Sequence, residues 1–200
     1  MVRLRMIASA AALGLAAMTS TAGAQDSEMA RSGVQFGIMG GVAFPTGDGT
    51  DGVSTGYNIA GVLGFNPAMF PFGMRLDAAY TSLPFDTDNT DIGDGDVKII
   101  GAWLNAILKL PASSISPYLL AAPGFANFKA DVENVDSESE TKFAAQFGGG
   151  IMLNLSGLAT NLEAKYVTLF TEGERLAYIP ITLGIMFGGG GSSTSMGSRK

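Results

Sequence analysis

Two short motifs carry opposite charges two residues apart: Arg75-x-Asp77 and Glu163-x-Lys165. Each sits inside an otherwise apolar, alternating segment. In an extended chain, residues two apart share a face, so each motif places a cation and an anion on the same side. A poorly hydrated space makes an unpaired charge very costly, so the four side chains are expected to pair. Two readings follow. One is a salt-bridge network that fills an interior and fixes strand register. The other is a gate or ion path. A second acidic group, Asp86, Asp88, Asp91, Asp94 and Asp96, has carboxylate spacing that can hold a weakly bound cation such as Ca²⁺. It does not match the EF-hand loop, because its sixth position is Asp91 and not glycine. The alternative is a solvated loop.

Other chemistry is scarce. The 200-residue chain has no His and no Cys. The commonest general base and metal ligand is missing, and so are thiolate sites and disulfides. No catalytic residue and no cofactor are expected, and the chain is read as not an enzyme. Acidic residues number 18 against 12 basic, which argues against nucleic acid as a partner.

The elements that must position the four charges are strands. Charged residues make up 15% of the chain, below the ~25% of ordinary soluble domains, yet mean hydropathy is positive. Period-two alternation predicts eight strands, at 33–44, 54–65, 72–82, 97–110, 116–128, 142–155, 158–168 and 177–187. In the first, Phe36, Ile38, Val42 and Phe44 oppose Gln35, Gly37, Met39, Gly41 and Ala43. In the third, Leu76 and Tyr80 oppose Arg75, Asp77 and Thr81. The fourth is almost continuously apolar and also fits a buried helix. As a strand it turns Ile100, Leu104 and Leu108 outward and Trp103, Asn105 and Lys109 inward. Pro123 and Pro180 each remove a ladder donor and are expected at bulges or strand beginnings.

Connections 44–56, 82–96, 129–141 and 169–176 are long and polar, whereas 66–71, 111–115 and 156–157 are short and uncharged. This strict alternation fits an outer-membrane barrel with long external loops and short periplasmic turns. The polar face is mostly Gly, Ala, Asn, Gln and Thr. The charges well inside the strands are Arg75, Asp77, Lys98, Lys109, Glu163 and Lys165. Small residues suit the interior of a narrow barrel, and the apolar face would meet lipid. The fold expected is all-β, an eight-stranded antiparallel up-and-down transmembrane barrel over residues 33–187. Aromatic pairs such as Phe72 and Tyr80 lie eight residues apart, about 20 Å after tilt, close to the spacing of two interfacial girdles.

The flanks read separately. Arg3 and Arg5, the apolar run Ile7 to Met18, and Ala22-Gly23-Ala24 predict a signal peptide over 1–24. A short lead over 25–32 follows, and residues 188–200 form a Gly/Ser-rich tail.

Several stretches carry a family resemblance. They are Ser116-Pro117-Tyr118-Leu119-Leu120, Gly148-Gly149-Gly150, Asn161-Leu162-Glu163-Ala164-Lys165-Tyr166 and Tyr178 to Phe187. The chain resembles the small outer-membrane barrels of the OmpA, OmpX and opacity-protein type. The resemblance implies a bacterial outer-membrane location. It implies contact with outer-membrane lipids and lipopolysaccharide, and insertion by the barrel-assembly machinery acting on Phe187. The tail after Phe187 departs from family barrels that stop at the final aromatic. Barrel enzymes of this kind rely on a His that this chain lacks. The implied role is structural or surface-interacting, with acidic external loops, an unidentified extracellular partner and a largely filled lumen. A narrow porin-like channel for small solutes is the alternative. A soluble lipocalin-like barrel is a third reading, disfavoured because Trp103 lies in the fourth strand.

Overall fold

The computed structural model describes residues 34–47, 50, 52–65, 70–86, 95–110, 115–132, 139–155, 158–171 and 176–188. Eight strands follow one another: β1 Gln35–Thr46, β2 Gly56–Phe65, β3 Gly73–Pro84, β4 Gly95–Lys109, β5 Ser116–Val132, β6 Ser139–Leu155, β7 Leu158–Leu169 and β8 Leu176–Gly188. Each pairs antiparallel with the next, and β8 pairs with β1, so the sheet closes. The segment open to a helical reading is strand β4, and its outward face carries Ile100, Leu104 and Leu108 as expected.

Closure has a measurable stagger. A row of lumen-facing partners leaves β1 at Gly37 and passes Val62, Asp77, Trp103, Gly124, Ala144, Leu169 and Leu176. Since Thr46 pairs with Ala177, Leu176 stands level with Gly47, ten residues up from the start. Eight strands with that stagger require a tilt of roughly 40° and a backbone radius of roughly 8 Å. That leaves room for side chains and little else.

Alternation follows from the pleat. In β1, Phe36, Ile38 and Val42 are exposed while Met39 and Ala43 are buried. In β8, Ile181, Leu183, Ile185 and Phe187 are exposed while Tyr178, Thr182 and Met186 are buried. Buried here means facing the lumen.

Two sequence expectations need correction. First, β5 and β6 reach further than 128 and 142: each has 17 residues, and Lys129 pairs with Ser139. Polar residues on both faces made this hairpin read as loop. Second, Pro123 lies in mid-strand, paired with Ala145, and its missing donor leaves a gap in the β4–β5 ladder with no bulge. Lys98, one of the charges well inside the strands, shares the parity of Ile100. It lies on the outward side of β4, paired with Asp96 at 3.4 Å. The expected signal segment 1–24, the lead 25–32 and the tail beyond Gly188 lie outside the described residues.

Candidate functional site

Arg75 and Asp77 project inward from β3, and Glu163 and Lys165 from β7. These strands are four apart in a ring of eight, so they face each other across the lumen. The four side chains meet there. Arg75 Nε donates to Asp77 Oδ1 at 2.6 Å, and Nη2 donates to Oδ2 at 2.8 Å. The other side of the same guanidinium grips Glu163, with Nη1 to Oε2 at 2.8 Å and Nη2 to Oε1 at 2.9 Å. Lys165 Nζ lies 3.1 Å from Glu163 Oε1 and 3.4 Å from Asp77 Oδ2. Two cations and two anions cancel, so their mutual attraction and directed hydrogen bonds offset the penalty of taking each out of water. Planar, bidentate geometry explains why an arginine holds the centre.

Polar neighbours complete the cluster. Tyr118 Oη donates to Glu163 Oε2 at 2.7 Å. Gln146 Nε2 donates to Asn105 Oδ1 at 2.7 Å, and Asn105 Nδ2 donates to the Arg75 carbonyl at 3.1 Å. Asn161 Nδ2 reaches Tyr118 Oη at 3.4 Å. A Cβ added at Gly150 would lie 2.6 Å from Tyr118 Oη, so this glycine makes space for the phenol. Sequence reasoning found the four charges and not Tyr118, Gln146 or Asn161 as their partners. The available signal was a polar side chain at a lumen-facing position of each strand.

Toward the long-loop end, apolar side chains pack together inside the lumen. Trp103, Tyr178, Leu83, Ile99, Val167 and Leu169 are almost fully buried there. Gly101 and Gly124 leave space for the Trp103 ring: a Cβ at Gly124 would lie 2.8 Å from its Cγ. Val53 and Phe85, from two different long loops, pair with each other and pack on this cluster. Toward the short-turn end, a cavity of about 30 Å³ lies beneath Arg75, Tyr118 and Asn161, with Lys109 among its lining residues.

The acidic group is not assembled as a site among the described residues. Asp96 belongs to β4, where it accepts from Ser82 Oγ at 2.7 Å and pairs with Lys98. Asp86 donates its backbone N–H to the Gly52 carbonyl at 2.8 Å. Asp88, Asp91 and Asp94 lie outside the described residues. Among those described, no three acidic side chains gather as metal ligands would.

A model of the outer membrane protein beta-barrel domain matches residues 8–188. The chain belongs to this family. Its place is the bacterial outer membrane.

Neisserial surface protein A (NspA) is matched with a TM-score of 0.58 and 12% identity, over 76% of this chain and 95% of that one, a likeness that speaks for the fold alone. Ail, the attachment invasion locus protein of Yersinia pestis, is matched with 19% identity over 78% and 99% of the two chains, at a TM-score of 0.48. No curated protein matches the chain.

For an outer-membrane barrel the outward face is the lipid face. Aromatic rings collect toward both ends of it. Phe36 stacks on Phe187 at 5.5 Å near the periplasmic end, and Tyr57 meets Tyr80 at 6.0 Å near the external end. Phe143 contacts both Phe125 and Phe170 near the external end. Seventeen residues span about 43 Å along the normal at this tilt, beyond the ~25 Å apolar band. The β5–β6 hairpin therefore stands out of the membrane, carrying the Glu140–Lys142 ion pair and an Asn127–Thr141 hydrogen bond.

Proposed function

We propose that this barrel is a closed scaffold of the outer membrane, with a structural or surface-interaction role and no catalytic one. The observation that carries this reading is the filled lumen: a neutral four-charge cluster toward the periplasmic end and the Trp103 layer toward the external end. A channel needs a continuous wet path, and side chains that crowd an eight-stranded interior support a closed one. Without His, the chain also lacks the usual proton carrier for catalysis at neutral pH. On this reading the acidic external loops present the surface that meets an extracellular partner. The flank contacts lipids and lipopolysaccharide, and Phe187 is the residue offered to the assembly machinery.

Liposome swelling tests the closed lumen. Vesicles holding the purified barrel should swell in small sugars no faster than empty vesicles, and swelling that falls with solute size would reverse the reading. A narrow solute channel is the second reading. It is favoured by the cavity of about 30 Å³ reaching Arg75 from the periplasmic end.

A further inference from the structure

Among the described residues the barrel wall has two breaks, and both adjoin the charge cluster. Between β4 and β5 the ladder runs to Trp103–Gly124 and resumes at Ala106–Ala121. The skipped positions set Leu104 against Pro123 and Asn105 against Ala122. Between β7 and β8 the ladder runs to Ala164–Ile181 and resumes at Val167–Tyr178. The skipped positions set Lys165 against Pro180 and Tyr166 against Ile179. The register is the same on both sides of each break, so neither is a bulge, which would insert a residue.

A single absent donor explains each break. A closely paired couple in an antiparallel ladder exchanges two N–H···O bonds, and proline has no N–H to give. The carbonyls that lose a ladder donor are those of Leu104 and Lys165. The other flanks of both prolines are regular, with Pro123 paired to Ala145 and Pro180 to Ala43. A missing wall bond matters more here than in a soluble sheet, because the hydrocarbon layer supplies no water to replace it.

We propose that the Arg75–Asp77–Glu163–Lys165 cluster is a brace that holds these two proline seams shut from inside the lumen. The lumen-facing pair at one seam is Asn105 and Ala122, and at the other it is Lys165 and Pro180. Lys165 belongs to the cluster, and Asn105 is bonded to the Arg75 backbone carbonyl and, through Gln146, to Asp77. A side-chain bond also steps over the strand behind the first seam: Asn105 on β4 bonds Gln146 on β6, past Ala122 of β5. At the second seam Lys165 on β7 is held to Asp77 on β3, and four residues along the same strand, where the ladder is whole, Asn161 reaches Met39 on β1, past β8. These bonds do not belong to the sheet. The brace also gives a reason for charges in a lumen that apolar residues could fill. Guanidinium, ammonium and carboxylate groups reach several strands at once, with several directed bonds each.

Hydrogen exchange on the full barrel in lipid nanodiscs tests this. Segments 103–107, 120–124, 164–167 and 178–181 should exchange at least tenfold faster than mid-strand segments of β1 and β2, whose ladder is unbroken. Pro123→Ala should slow the β4–β5 seam to the mid-wall rate and leave the β7–β8 seam unchanged. Glu163→Gln should speed both seams at least fivefold without speeding β1–β2. If that variant does not refold, Asn105→Ala carries the same expectation for the β4–β5 seam alone. A uniform acceleration through the barrel, or seams that ignore the cluster, would overturn the brace. Conductance plays no part in this test, so an open pore and a failed brace remain distinct results.

Discussion

Arg75 and Glu163 join opposite walls of the barrel, β3 and β7, through two parallel bonds of 2.8 and 2.9 Å. Eighty-eight residues of chain separate them. The same guanidinium holds Asp77 on its other side, so one side chain ties three charges together.

Breaking that tie should be costly. Glu163→Gln leaves Arg75 and Lys165 with a single buried carboxylate, and loss of one partner from a buried pair costs about 3–5 kcal/mol. Urea unfolding in detergent should show a loss of about 3 kcal/mol. A change below about 1 kcal/mol would mean the cluster is better hydrated than its burial implies.

Trp103 is the chain's single tryptophan, and it faces the lumen with 2% of its surface exposed. Its fluorescence should resist quenching both by aqueous acrylamide and by lipids brominated on their acyl chains. Strong quenching by the brominated lipids would put it on the outer face and shift β4 by one residue, since one step of slip exchanges the faces.

Two glycines should respond differently to enlargement. Gly150→Val presses on Tyr118, whose Oη would lie 2.6 Å from the new Cβ. Overpacking of this kind costs about 1–3 kcal/mol. At Gly61 nothing lies within 4 Å of an added Cβ. Gly61→Ala should therefore leave the unfolding midpoint nearly unchanged, and equal effects at the two sites would contradict the packing described.

The lipid face predicts a different cost. Leu183 lies about half-way along β8 with 59% of its surface exposed. Leu183→Arg should lose about 2–4 kcal/mol, as an arginine does at the bilayer midplane. The same change at Leu110, beyond the end of β4, should cost much less. Chevron or equilibrium unfolding of the pair would separate a lipid belt from a solvent surface.

Much of this barrel was legible in the residue order. Alternation such as Phe36–Ile38–Val42 against Met39–Ala43 follows directly from the pleat, so faces and strand number could be read. The inward turn of Arg75, Asp77, Glu163 and Lys165 followed from the same parity. Their bonds to Tyr118, Gln146 and Asn105 were not legible, because those depend on the ten-residue stagger set only when β8 closes on β1. The upper β5–β6 hairpin was missed for another reason. Once strands leave the lipid, both faces are wet, and residues such as Lys129 and Glu140 no longer alternate with apolar ones. Asp96 read as a loop carboxylate for the same reason, although the structure commits it to Ser82 and Lys98.

The most direct test of the closed lumen is single-channel recording of the purified barrel in planar bilayers. On the closed-lumen proposal, in which the charge cluster and the Trp103 layer block the path, the wild-type protein should show no steady open level. A stable conductance in the wild type, altered by Glu163→Gln, would contradict the account.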